Sequence, residues 1–225
     1  SESSEEEWSY WRAMGMEFTG SPDAAAAEFD GLAGERSYYG FLAADALGLP
    51  YSLADSPLAV DEQLVAELES RPEVIRAREL YLVGLDSRGR SEWDTVVRDL
   101  SREEKLQAAL LAHRWGWHSR AIATAARAAE YDDLALRYPL PFAKAFEASA
   151  RAADIPPTWA LGVARSESLF MRDVRSHAGA VGVMQLMPDT GRAVARRLNL
   201  EFAGINSLKD PATNIRLGTS YLGEM

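Results

Sequence analysis

The chain has 225 residues, 47% of them apolar, no cysteine and a formal net charge of −10. That length accommodates one large domain or two small ones with a real core. The missing thiols exclude disulfides and thiolate metal sites and suit the periplasm as well as the cytosol. No run of 18 or more apolar residues is present to form a transmembrane helix.

The charge is uneven. Residues 1–135 carry 13 basic and 26 acidic side chains, a net of −13, whereas residues 136–225 carry 11 basic and 8 acidic, a net of +3. An acidic N-terminal part argues against nucleic acid as a partner. A mildly basic C-terminal part suits a substrate bearing carboxylates. The shift places a domain boundary near the Tyr138-Pro139-Leu140-Pro141 segment.

In chain order, the polar, acidic stretch Ser1 to Glu7 is expected to fray, with a first helix from Trp8 to Phe18. Ser21-Pro22 starts a helix that Gly34 ends, and Ser37 to Leu47 forms a third, stopped by Gly48 and Pro50. Helices are then expected at Asp61–Leu68, Pro72–Val83, Ser91–Leu100, Arg102–Arg114 and Ser119–Ala129. Almost nothing alternates with period two, and the connections are short. Residues 1–135 therefore read as a run of helical hairpins stacked into an irregular α-superhelix, without a clean repeat consensus.

Two features in this part imitate sites. His113 and His118 flank Trp115 and Trp117, but five residues along one helix would put the histidines on different faces, and no carboxylate completes a ligand set. Glu5-Glu6-Glu7 lacks the glycine and spaced ligands of a calcium loop. No metal or cofactor is expected.

The chemistry concentrates between Pro157 and Pro188. Pro157 begins a helix in which Ala160, Val163, Ala164 and Glu167 recur at i, i+3, i+4 and i+7, a single face. A carboxyl group packed among apolar side chains holds its proton more readily, as a general acid must. Beyond it, Gly179 and Gly182 allow close backbone approach, and Gln185 offers an amide to orient a sugar or a water. Most glycosidases use two carboxylates. Asp173, six residues past Glu167, is the nearest candidate for a second.

Three ordered motifs in this region resemble the catalytic domain of soluble lytic transglycosylases, the enzymes that cleave glycan strands of bacterial peptidoglycan. Glu167-Ser168 matches the family's Glu-Ser pair at a helix end. The run from Ser176 to Pro188 matches its Ser-Pro-x-Gly-x-x-Gly-Leu-Met-Gln-x-Met-Pro motif, with His177 for Pro and Val183 for Leu. Asp210-Pro211, Asn214, Gly218 and Tyr221 fall in a third matching stretch. Upstream, Trp8-x-x-Trp11 and residues 37–44 resemble the helical linker that precedes this domain in larger members.

The resemblance implies an all-α chain: a helical linker or superhelix over 1–135, then a lysozyme-like α domain over 136–225. That domain would be truncated at Met225, ahead of the family's Ala-Tyr-Asn-Ala-Gly motif. It implies cleavage of the β-1,4 bond between MurNAc and GlcNAc, with Glu167 as acid and then base and a 1,6-anhydro ring as product. Ser176, Gln185, Met187 and Met184 would contact the glycan, and Ser168, Gly179 and Gly182 would shape the site. Asn214 and Tyr221 would hold the C-terminal helix to the core. The family is exported, so Ser1 reads as the start of a mature or engineered fragment acting in the periplasm, with peptidoglycan as partner. Cell-wall synthesis or division proteins stand as unidentified further partners. Two other readings stay open: a g-type lysozyme-like hydrolase, and a non-catalytic helical fragment that binds peptidoglycan or a partner protein.

Overall fold

The computed structural model describes residues 2–225, so the part of the fraying expectation that falls on Ser1 lies outside them. Among these residues there is no strand, only isolated bridges from Val181 to Arg175 and to Leu186. The chain forms two compact units, one reaching Ser56 and one from Pro57 to Met225.

The first unit holds helices α1 (Glu2–Phe18), α2 (Pro22–Ala33) and α3 (Tyr38–Leu47). The acidic start belongs to α1 instead of preceding it. Ala13, Ala25, Phe29, Leu32, Ala43 and Ala44 form the core, with Tyr10 against Phe29 and Tyr39 at 5.6 and 5.7 Å. Ser37 caps α3 by accepting from the Gly40 amide, and Gly48 closes it in the left-handed conformation. Gly40 itself touches the preceding turn, since a Cβ there would lie 2.1 Å from the Glu35 carbonyl oxygen.

The second unit begins with α4 (Glu62–Ser70), α5 (Pro72–Leu82), α6 (Asp86–Arg98), α7 (Arg102–Arg114), α8 (His118–Arg127) and the single turn α9 (Leu134–Arg137). α5 pairs with α6 and α7 with α8 as hairpins. Asp61 caps α4, and Ser101 with Glu104 forms a reciprocal capping box on α7. α6 starts five residues before the expected Ser91, because Gly89 is not a break. It lies inside the helix where a Cβ would come within 3.1 Å of the Ala77 carbonyl oxygen, so it lets α6 press onto α5. Trp93, Trp117, Leu68, Leu111 and Leu136 fill the core of this part. Trp117 stacks on Tyr81 at 4.5 Å.

The remainder holds α10 (Ala143–Ala153), α11 (Pro157–Ser168), α12 (Pro188–Arg197), α13 (Ile205–Lys209) and α14 (Pro211–Leu222). α14 packs along α10 and against α12 and α13. A long irregular segment, 169–187, runs among them and supplies Val181, Val183, Met184 and Leu186 to the core. The Tyr138–Pro141 segment lies between α9 and α10, inside the second unit.

Candidate functional site

The site is built where α11 ends. Ala160, Ala164 and Ser168 form its buried stripe, at intervals of four. Glu167 is one residue, about 100°, away from Ser168, and it is exposed. The expected packing of Glu167 among apolar side chains is therefore not met. The burial that periodicity assigned to it goes to Ser168, which is 3% exposed. The Ser168 hydroxyl lies 2.6 Å from the Val183 carbonyl oxygen and 3.2 Å from that of Ala164, and the shorter contact takes its proton. This single bond ties the end of α11 to the irregular segment. α11 then stops abruptly: Leu169 and Phe170 are both left-handed, at φ 51° and 64°, an unusual state for residues with bulky side chains.

Segment 174–187 is a compact loop stitched by its own backbone. Val181 and Leu186 exchange both amide-to-carbonyl bonds, and the Gly182 amide donates to Val174. The Ser176 hydroxyl accepts from the Ala180 amide. The Gln185 side-chain amide donates to the carbonyls of Gly182 and Val174 at 2.9 and 3.3 Å, leaving its own oxygen as the group not used by the loop. Gly179 sits at φ +97°, in a turn closed by its own amide on the Ser176 carbonyl.

Asn214 on α14 holds this loop from beneath. Fully buried, it donates to the Val181 and Leu208 carbonyls at 2.9 and 2.8 Å and accepts from the Met184 amide at 2.7 Å. Gly182 makes that approach possible, since a Cβ would stand 2.2 Å from the Leu208 carbonyl oxygen and 2.5 Å from Asn214 Nδ2. Met184 lies under this arrangement, 6% exposed, against Gly218 and the Thr219 hydroxyl. It is core and presents no face to a ligand, in contrast to its expected place in the substrate contacts. Met187, by contrast, is 43% exposed, where it precedes α12. Tyr221 is 40% exposed on α14.

The two carboxylates differ in their commitments. Asp173 receives both terminal nitrogens of Arg90 at 2.7 and 3.0 Å. Beside it, Arg172 reaches the carboxylate of Asp86 at 3.0 and 3.3 Å, a contact that raises the arginine's already high pKa. Asp86 and Arg90 are one turn apart on α6, so two ion pairs buckle that helix to the segment just past Glu167. Glu167 has no ion-pair partner among the described residues. Asp86 and Arg90 fall in the stretch expected to be a link ahead of Ser91, and nothing in the sequence indicated their partners some 80 residues away.

The histidines require a correction. Gly116 and Trp117 end one helix and begin another, so His113 and His118 face each other with ring centroids 5.5 Å apart. Burial lowers the pKa of His118, and His113 lowers it further. Among the described residues no third His, Cys, Asp or Glu joins them to make a metal site.

Residues 67–134 match the family model of the soluble lytic murein transglycosylase L domain, and residues 144–225 that of the transglycosylase SLT domain. The soluble lytic murein transglycosylases of Salmonella typhimurium and Escherichia coli K12 are each 33% identical over 220 residues, which make up 96% of this chain and 34% of theirs. Among solved structures, an inactive mutant of the lytic transglycosylase Slt from Pseudomonas aeruginosa superposes with a TM-score of 0.88 at 34% identity, over 97% of this chain and 36% of that one. The 70 kDa soluble lytic transglycosylase of Escherichia coli gives 0.90 at 31%, over 97% and 35%. A 70 kDa soluble lytic transglycosylase in complex with bulgecin A gives 0.88 at 32%. The chain thus spans about a third of the length of these relatives.

Proposed function

The chain belongs to the soluble lytic transglycosylase family, and from that premise we propose that it cleaves the β-1,4 bond between MurNAc and GlcNAc in peptidoglycan. Residues 136–225 would carry the reaction and residues 1–135 would form a helical scaffold ahead of it. The observation that supports this is the contrast at the end of α11. Glu167 is exposed and unpaired beside a Ser168 anchored in the core, while Asp173 is neutralised by Arg90.

A single available carboxylate favours a one-carboxylate mechanism. Glu167 gives its proton to the glycosidic oxygen as that bond breaks, and the N-acetyl group of the muramic acid sugar stabilises the developing positive charge. The same carboxylate then accepts the proton of that sugar's C6 hydroxyl, whose oxygen closes the 1,6-anhydro ring. No water is consumed. The desolvation that favours a protonated Glu167 would come from the glycan as it covers the exposed side chain. Met187 and the free Gln185 oxygen would contact the sugars, and Ser176 would shape the loop that presents them. A peptidoglycan substrate would have the protein act in the periplasm.

The test is the mass of products released from purified peptidoglycan by the chain and by Glu167→Gln. Products ending in 1,6-anhydro sugars, reduced by about 100-fold or more in the variant, support the reading. Products one water heavier would replace it with hydrolysis.

A further inference from the structure

A cleft lies in this unit, and none of Glu167, Ser176, Gln185 or Met187 lines it. It is a cavity of about 340 Å³ whose walls include Tyr81, Arg90, His118, Ser119, Phe142 and Arg172. Its floor is the first turn of α8. That helix has ten residues, and Trp117, which precedes it, provides no side-chain cap. The Arg120 and Ala121 amides find the Trp117 carbonyl, but no backbone acceptor meets those of His118 and Ser119. Amides left open at a helix start carry about half a unit of positive charge.

A second observation, independent of the helix end, points the same way. Ser119 is 95% buried by its 5% exposure and lines the cavity, yet its hydroxyl has no hydrogen-bond partner among the described residues. Polar groups of nearly buried residues are normally satisfied, so a hydroxyl left open on this wall marks a place for a ligand. The charged walls balance: Arg172 pairs with Asp86, and Arg90 pairs with Asp173 just outside the lining, so the positive potential here is that of the helix start. Tyr81, Trp117 and Phe142 supply apolar surface.

We propose that this cavity is a binding site for a small organic monocarboxylate, its carboxylate on the α8 amides and the Ser119 hydroxyl and its apolar body against Tyr81 and Phe142. The partial positive charge of the helix start favours an anionic group, and a planar carboxylate can accept from two adjacent amides and a hydroxyl together. The ligand would touch Leu169 to Arg172, the residues directly after Ser168. This proposal is independent of the reaction assigned to Glu167.

The test is titration of the full chain with benzoate, followed by amide NMR, beside its neutral isostere benzamide. Saturable shifts centred on His118 and Ser119, with benzamide at least about tenfold weaker, are expected from loss of the charge-assisted bonds. Ser119→Asp sets a carboxylate onto the same amides and is expected to weaken benzoate by about tenfold. If that variant does not fold, Ser119→Ala takes its place, with roughly fivefold weaker binding expected. Equal binding of benzamide, shifts centred elsewhere, undiminished binding in the folded variant, or no saturable shift in the wild type would each overturn the proposal.

Discussion

The two halves of the second unit solve the same problem by opposite means. From α4 to α9 the centre is made of helices, whose backbone groups satisfy one another, so the side chains that meet there are apolar. Polar contacts are few at this centre, the Trp93 indole N–H on the Thr124 hydroxyl at 2.9 Å among them, and buried Gln107 and Asp133 hold the segment ahead of α4 at its edge. From α10 to α14 the centre is a loop. Val181, Val183, Met184 and Leu186 are as buried as any helical core residue, but their amides and carbonyls have no helix to pair them. Asn214, Ser168 and the Val181–Leu186 exchange take on that task. A buried loop is affordable only where polar side chains replace the hydrogen bonds that a helix makes for itself.

The contrast can be broken by substitution. Trp93→Ala should cost about 4 kcal/mol, the range for deleting a fully buried large aromatic, read as a lower midpoint in denaturant unfolding. Asn214→Ala removes a smaller side chain yet should cost about 3 kcal/mol, because it strands the buried Met184 amide and Leu208 carbonyl and takes one of two partners from the Val181 carbonyl. Hydrogen exchange at the Met184 amide should accelerate in this variant and stay slow in Trp93→Ala. Equal exchange in both would show that the loop does not depend on its polar anchors. Ser168→Ala should cost only about 1 kcal/mol, since one carbonyl loses one partner. A loss as large as that of Asn214→Ala would shift the anchoring from α14 to α11.

The smallest expected effect is one of pH. His118 has its pKa lowered in the folded chain by burial and by His113, so the unfolded chain binds the proton more readily. Stability is then fully present above the unfolded value of about 6.5 and declines as pH falls through it towards the folded value. Glu62 and Glu104, whose pKa values are lowered by hydrogen bonds with Arg114 and at the Ser101 cap respectively, contribute losses only at and below about pH 4.3. His118→Asn should flatten the upper window and leave the lower one. An unchanged slope between pH 7 and 5.5 would remove His118 as its source.

Local chemistry made much of the helical scaffold legible. The helix starts expected at Ser37, Asp61, Arg102 and Pro157 rest on adjacent residues, and the helices begin at Tyr38, Glu62, Arg102 and Pro157. What escaped depends on distant groups. Gly89 reads as a separator until α5 is seen against it. His113 and His118 read as residues of one helix until the chain turns between them. Ser168 and Glu167 are adjacent, and which of them is buried is decided by Val183, fifteen residues on. Asp173 resembles a spare carboxylate because Arg90 belongs to another hairpin. The site's motifs were visible as spacing, while its polar anchoring was not.

The buckle between α6 and the end of α11 has an order to it. Reading along the chain, the helix offers acid then base, Asp86 and Arg90, and the loop offers base then acid, Arg172 and Asp173. The pattern works as a two-toothed key that turns only one way. Exchanging the partners would set Asp86 against Asp173 and Arg90 against Arg172, like on like in a partly buried seam. A docking of α6 in the opposite orientation would thus be disfavoured at the residues just past Glu167.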